Sequence, residues 1–171
     1  MSLKEHWAVF SSDLSMGSDF IQNLLRGRPC ESLKELSGQQ GVLFSNYTLE
    51  RFILEESRHD DYTLSIHEHR SIRTFSSGEQ RKALLNHLLS SQPDFLILDN
   101  AFDMLDLESR QKLGKKLEEI SGEITILQVV KRKDSLLPFL KRAIALENEC
   151  VLFAGTLEEY LTNFGAKDIF T

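Results

Sequence analysis

Two short stretches of this sequence carry residue types that could hold a phosphate. The run Ser76-Ser77-Gly78-Glu79 directly precedes an apolar helical pattern. Backbone N–H groups at such a helix start can face an anion. Asp99 follows the uniformly apolar run 95–98, which places a carboxylate at the end of a predicted parallel strand, the edge at which α/β proteins bind ligands. The two stretches together point to nucleotide chemistry.

Each feature also has a structural alternative. Ser76 or Ser77 would cap the helix that follows, as serines commonly do. Asp99 would cap the loop after its strand. The separation between Gly78 and Asp99 accommodates a helix of about three turns and a short connection, and this order favours the nucleotide interpretation for the serine loop. For Asp99 the two interpretations remain open.

Strand and helix patterns alternate along the chain. Apolar runs predict strands at 7–11, 41–45, 95–98 and 124–130, and a hairpin of 142–147 with 149–154 around Asn148. Helical spacing predicts helices at 19–26, 48–56, 78–89, 107–120 and 156–163. Residues 57–74 are polar and irregular, and 61–67 fit either a strand or a loop. The alternation predicts an α/β fold with a mostly parallel sheet flanked by helices.

Composition limits the class of protein. The 171 residues suit one domain with a real core, and no apolar run approaches the ~20 residues that span a bilayer. No signal peptide is recognisable at the start of the chain. Cys30 and Cys150 lack metal-ligand spacing, so we expect free thiols in a reducing, cytoplasmic setting. The net charge of −6 disfavours a nucleic-acid partner.

The stretch from Phe75 to Asp106 resembles the ATP-binding cassette (ABC) ATPases. Ser76–Glu79 is similar to their signature loop, 95–99 to their Walker B strand, and Asp106 to their D-loop aspartate. The sequence of this stretch most resembles that of the first half of the tandem cytoplasmic ABC proteins of the molybdate and photorepair type. The resemblance implies a P-loop NTPase-like fold in which two halves pack head to tail. ATP then lies between the P-loop and Walker B of one half and the signature loop of the other.

The stretch at the P-loop position departs from the family pattern G-x-x-x-x-G-K-[ST]. Ser12 stands at the first glycine, Gly17 fits the second, Ser18 replaces the lysine and Asp19 the Ser/Thr. Two like charges about 4 Å apart repel by ~4 kcal/mol at an effective dielectric of 20, so Asp19 would oppose a triphosphate. With Gln22 three residues later, Asp19 is instead expected to cap a helix. We therefore predict a degenerate P-loop.

Three other motif positions also differ from the family. Asn100 stands in place of the catalytic glutamate, and an amide cannot act as a general base. Lys131 and Arg132 stand where the switch histidine is expected; the pair is either a solvated strand exit or, through Lys131, a phosphate contact. Ser45 occupies the place of the glutamine in the glutamine loop. No catalytic residue of the family is intact by this alignment.

Two further positions bear on ligands. The chain starts almost at the P-loop strand, so the resemblance implies a truncated nucleotide-binding domain without the adenine-stacking aromatic; Trp7 is expected in the core. His67 and His69 would share one face if their segment is a strand, but two histidines alone are more typical of a surface than of a metal site.

The resemblance implies a degenerate half that supplies Ser76–Glu79 to an ATP site on a partner half, in the same polypeptide or a separate one. ATP and Mg²⁺ are expected only in the assembled dimer, with Asp99 as the metal-orienting residue, and a membrane permease only as an indirect partner. The alternatives are an active ABC ATPase with atypical motifs and a non-catalytic structural or regulatory module. We expect one domain over 1–171, with a core of 7–30 and 91–155, a signature-helix region of 45–90 and a C-terminal helix of 156–165.

Overall fold

A six-stranded sheet forms the centre of the computed structural model, which describes residues 4–14, 18–65, 70–131 and 136–164. Its strands are β1 (Trp7–Phe10), β2 (Gly41–Ser45), β3 (Phe95–Asp99), β4 (Thr125–Val130), β5 (Arg142–Glu147) and β6 (Cys150–Thr156). Their order is β2-β3-β4-β1-β5-β6. All neighbours are parallel except β5 and β6. The predicted mostly parallel α/β sheet is confirmed.

The β5–β6 pair is the predicted antiparallel hairpin. Its turn consists of Asn148 and Glu149, which have φ angles of 50° and 67°. Two successive left-handed residues produce the turn twist that suits a two-residue hairpin. Because β5 is parallel to β1, this turn lies at the carboxyl edge of the sheet.

In the described part of the chain, five α-helices connect or flank the strands. They are α1 (Asp19–Leu25), α2 (Asn46–His59), α3 (Ser77–Ser90), α4 (Leu107–Ile120) and α5 (Leu157–Phe164). Serine or aspartate side chains cap three of them, with Ser45 before α2, Ser76 before α3 and Asp106 before α4. Such caps satisfy backbone N–H groups that the first turn leaves unpaired. All five predicted helices are present, with shifts of one to three residues at most ends.

Successive side chains along a strand pack alternately into two core layers, one on each face of the sheet. Trp7 and Val9 pack on the face that carries α1, whereas Ala8 and Phe10 pack on the face that carries α2, α3, α4 and α5. The same alternation holds in β3, where all apolar residues are buried. Strands buried on both faces read as uninterrupted apolar runs, which explains why 95–98 could be recognised as a strand. Trp7 is a core residue, as expected.

The polar stretch between α2 and α3 differs from the prediction. Helix α2 runs to His59, beyond the predicted end at Glu56, and stops where Asp60 takes a left-handed conformation. The described part of 61–67 contains the 3₁₀ turn Thr63–Ser65 and no strand, because short polar side chains bond locally there: Asp61 Oδ1 accepts the backbone N–H of Thr63 at 3.1 Å. His67 and His69 lie outside the described residues.

The described residues contain neither a helix that could span a membrane nor a cluster of metal ligands. No helix among them combines the length and apolarity that a membrane crossing requires. In the same residues, His, Cys, Asp and Glu side chains form no group of three that could hold a metal ion. Cys30 is partly buried and Cys150 exposed, and both are free thiols.

Candidate functional site

The carboxyl ends of five parallel strands meet at one edge of the sheet. Ser11 follows β1, Ser45 ends β2, Asp99 ends β3, Lys131 follows β4, and the Asn148–Glu149 turn follows β5. This is the edge at which parallel α/β sheets bind ligands. All the predicted site residues that the structure describes lie in segments leaving this edge or at the start of α3.

The signature loop, Ser76–Glu79, forms a capping box. The hydroxyl of Ser76 accepts the backbone N–H of Glu79 at 3.2 Å, and the Glu79 carboxylate accepts the backbone N–H of Ser76 at 3.1 Å. The predicted structural role of Ser76 as a helix cap is therefore confirmed. The side chains of Ser76 and Ser77 are exposed. The start of α3 is consequently both rigidly capped and open to solvent.

Glu79 has a second partner in Arg70, whose guanidinium donates to its carboxylate. The hydrogen bonds from Ser76 and the Arg70 charge together lower the pKa of Glu79. Arg70 also lies over the ring of Phe75, with 4.4 Å between the guanidinium carbon and the ring centroid. The loop is thus tied to the segment that precedes it.

Gly78 packs closely against the start of α4. A Cβ at this position would lie 2.5 Å from the Ser109 hydroxyl oxygen, which is closer than real Cβ contacts, and 3.1 Å from the Ser109 Cβ, which is unusually tight. The absence of a side chain at Gly78 therefore allows α3 to approach α4. Asp106 caps α4 by accepting the backbone N–H of Ser109 at 3.0 Å, so the D-loop position has a structural role of its own.

Asp99 lies between Ser45 of β2 and Val129 of β4 in the sheet register. Its side chain is partly buried, and this burial raises the pKa of its carboxyl group. The positive charge of Lys131 acts in the opposite direction and is the smaller effect. Lys131 is exposed, and Arg132 lies outside the described residues. The ends of β3 and β4 therefore carry a carboxylate and a cation whose charges interact.

A cavity of about 720 Å³ opens beside these two residues. Its polar lining comes from Asp99, Asn100, Asp103, Arg110, Gln128 and Lys131. Asn100 has a left-handed φ of 59°, and its amide donates to the Asp103 carboxylate at 3.4 Å. Asparagine adopts this conformation more readily than most residues, so the local turn suits the amide that stands here.

The segment after β1 contains a local hydrogen bond between a serine and a carboxylate. The Ser11 hydroxyl donates to Asp13 at 2.8 Å, and Ser12 is exposed. Ser18 occupies the N-cap position of α1, whereas Asp19 is the first helical residue and is exposed. The prediction that Asp19 caps the helix with Gln22 is therefore wrong by one residue, because the helix begins at Asp19 itself. Gly17 lies outside the described residues.

Glu149 reaches the first turn of α1 from the β5–β6 turn. Its carboxylate accepts the backbone N–H of Phe20 at 3.0 Å. An anion is favoured at a helix start, where unpaired N–H groups carry partial positive charge. No sequence pattern indicates this contact, since 129 residues separate the two positions.

Arg81 is a second residue that the sequence reasoning missed. It lies buried on α3, and its Nη2 donates to the Asn46 side chain at 3.0 Å and to the Asp103 backbone oxygen at 2.7 Å. Arg81 thereby links the helix after the signature loop to α2 and to the loop that follows β3. Its spacing with Leu84 and Leu85, both buried, was the available signal, because the three share one helix face.

Comparison with curated proteins identifies relatives with ABC transporter names. The chain is 40% identical over 93 residues to the ABC transporter ATP-binding protein ModF of Escherichia coli, which covers 54% of this chain and 19% of that protein. It is 33% identical over 88 residues to the molybdenum import ATP-binding protein ModC of Photorhabdus laumondii, covering 50% and 25%. Each match therefore spans a minor part of the relative's length. No protein-family model matches the chain.

Solved structures extend the fold likeness to nearly the whole chain. A transporter described as an inward-facing, metal-chelate type ABC transporter matches with a TM-score of 0.65 and 16% identity, over 97% of this chain and 77% of that one. The ADP conformation of an ATP-binding cassette of an ABC transporter matches with a TM-score of 0.60 and 12% identity, over 95% and 84%. At these identities the likeness establishes the fold, which is that of ABC ATPase domains.

Proposed function

We propose that this chain, whose homologues are ATP-binding proteins of ABC transporters, is a half that does not hydrolyse ATP by itself. It supplies its signature loop to an ATP site on an intact partner half. The observation that carries this proposal is the exposure of Ser76 and Ser77 at the start of a capped, 14-residue helix. Backbone N–H groups and hydroxyls in that position suit a phosphate presented from outside.

The chain's own pocket does not fit a magnesium–triphosphate group. Asp19 lies where the family places a hydroxyl, and the N–H of Phe20 already donates to the Glu149 carboxylate. A phosphate at this helix start would have to displace one carboxylate and approach another. Asp99 is the remaining metal-orienting candidate, and partial burial, which raises the pKa of its carboxyl group, makes its ionised form less favourable than that of an exposed aspartate. Magnesium and ATP would therefore bind in the assembled pair, at the partner's pocket.

Hydrolysis in this chain's own pocket also lacks a base. Asn100 stands at the glutamate position, and its amide is engaged with Asp103. Lys131 stands at the position of the switch histidine, and a lysine ammonium offers three donors and no acceptor for a proton from water. These substitutions favour the degenerate half over an active ATPase with atypical motifs.

Exposed apolar side chains beside the signature loop support a protein partner. Met104 is 80% exposed and Leu107 is 73% exposed, and Leu107 begins the helix that contacts Gly78 through Ser109. Exposed apolar groups next to a functional loop are typical of interaction surfaces. The proposed partner is a second nucleotide-binding half, linked in one polypeptide or separate, in the cytoplasm. A permease would be reached only through that pair.

The test is ATP turnover by the chain assembled with an intact ATP-binding half. Ser77→Arg places a long cation at the exposed loop and should reduce turnover at least 100-fold. The matched control is Ser90→Arg, which makes the same change at the exposed far end of α3 and should leave turnover within twofold. Disabling the partner's own signature loop should also have little effect, because that loop faces the degenerate pocket. Unchanged turnover with Ser77→Arg would favour a structural or regulatory module instead.

A further inference from the structure

Glu56 is a buried carboxylate that none of the motif positions accounts for. It lies near the end of α2, and the residue is 2% exposed. The Ser65 hydroxyl donates to Oε2 at 3.2 Å, and the backbone N–H of Ile72 donates to the same oxygen at 3.0 Å. The Ser71 hydroxyl donates to Oε1, and the Arg73 Nε lies 3.9 Å from that oxygen. Burying a carboxylate is costly unless such partners compensate.

The segment that Glu56 holds leads directly into the signature loop. It forms the 3₁₀ turn Ile72–Thr74, which Ser71 caps, and then the buried Phe75. On the other side, the Gln80 side-chain amide donates to the backbone oxygen of Ile72 at 3.1 Å. Ile72 is therefore held by α2 through its N–H and by α3 through its carbonyl. The backbone of one residue, Ile72, is thus hydrogen-bonded to side chains of both helices.

We infer that Glu56 is a positioning residue for the signature loop. Its carboxylate fixes the backbone at Ile72, four residues before Ser76, so that the exposed hydroxyls of Ser76 and Ser77 keep one orientation relative to α2. Glu56 is buried and acts on the loop through its contacts with Ile72 and Ser71. The functional consequence rests on the proposed signature-donation role, whereas the mechanical link itself does not.

Amide hydrogen exchange in the full chain tests the mechanical link. Glu56→Ala leaves the N–H of Ile72 and two hydroxyls without their acceptor, and donors left unpaired in this way destabilise the segment that carries them. We expect exchange at residues 72–80 to accelerate tenfold or more, with β3 and β4 changing less than threefold. The matched control is Glu55→Ala, one residue earlier on α2, whose carboxylate pairs with His59 at 3.9 Å; it should leave 72–80 unchanged.

Glu56→Gln keeps the shape and one acceptor oxygen, so it should restore most of the protection at 72–80. If Glu56→Ala does not fold, Glu56→Gln takes its place, with an expected acceleration of about threefold confined to 72–80. Unchanged exchange there, or an acceleration equal to that of β3 and β4, would overturn the inference.

Turnover by the assembled pair separates this inference from the proposed function. If the loop acts in the pair, Glu56→Ala should lower kcat about tenfold with KM for ATP changed less than threefold, because Glu56 is not placed at the nucleotide. If Ser77→Arg leaves turnover unchanged while Glu56→Ala still loosens 72–80, signature donation is wrong and the positioning role stands. If Ser77→Arg abolishes turnover and exchange at 72–80 does not respond to Glu56→Ala, the positioning role is wrong.

Discussion

The Glu149 carboxylate accepts a hydrogen bond of 3.0 Å from the backbone N–H of Phe20, in the first turn of α1. The contact joins the β5–β6 turn to the helix that follows the stretch proposed to be a degenerate P-loop. Glu149 has a left-handed φ of 67°, a conformation that costs a residue other than glycine free energy. Its contact with the helix start offsets part of that cost. The chain thereby places its own anion at the start of α1.

Glu149→Gln should lower the free energy of unfolding by about 1 kcal/mol, because a neutral amide loses the interaction with the helix start. Urea denaturation at neutral pH measures this difference. Glu147→Gln is the matched control, since Glu147 is also exposed at the end of β5, and it should change the stability by less than ~0.5 kcal/mol. Equal effects of the two variants would show that the contact with Phe20 contributes nothing specific.

Gly78→Ala should destabilise the chain by roughly 1–3 kcal/mol, as overpacking at a close contact usually does. The reason is the 2.5 Å approach that the new Cβ would make to the Ser109 hydroxyl oxygen. Thermal or urea unfolding of the variant gives the size of the loss.

The double variant Gly78→Ala with Ser109→Ala identifies the source of that loss. Removing the hydroxyl should recover at least half of it, although the Cβ of residue 109 remains 3.1 Å away. Additive effects of the two substitutions would mean that the positions do not couple, and the close packing of α3 on α4 would then not explain the glycine.

Asp99→Asn should raise the melting temperature at pH 7 by a few degrees. Burial raises the folded-state pKa of Asp99 above its ordinary value of 3.8. Between these two pKa values the folded chain binds more protons than the unfolded chain, so stability falls as pH rises through that window. At neutral pH the ionised carboxylate therefore costs stability, and asparagine removes this cost. Calorimetry should show the gain shrinking as pH falls towards 3.8; a gain independent of pH would contradict the assignment.

Much of the fold could be predicted because its strands are buried on both faces. Phe95–Leu98 is apolar throughout, Thr125–Val130 is apolar except for the buried Thr125 and Gln128, and the bounds of β2 and α4 agree with the prediction. The end of α2 was harder to predict. Glu56 continues the helical stripe of Leu49, Phe52 and Ile53, but a charged residue normally marks the solvent side of a helix. Its partners lie in a polar segment whose sequence pattern predicts no element.

At the candidate site, contacts between neighbouring residues could likewise be predicted, whereas contacts between distant segments could not. The capping role of Ser76 follows from four consecutive residues, because a capping box is a local arrangement. The contacts of Glu149 with Phe20 and of Arg81 with Asp103 join segments 129 and 22 residues apart. They depend on which strands are neighbours, and a single sequence does not reveal that order. The Asp19 cap was misplaced because Ser18 and Asp19 are both good N-cap residues.

The most direct test of the degenerate pocket is a calorimetric titration of the isolated chain with Mg-ATP. We predict a Kd no tighter than about 1 mM, corresponding to roughly −4 kcal/mol, because Ser18 and Asp19 stand at the lysine and hydroxyl positions and Glu149 already bonds to the start of α1. A Kd in the micromolar range would contradict it, and the chain would then have to be regarded as a nucleotide-binding half in its own right.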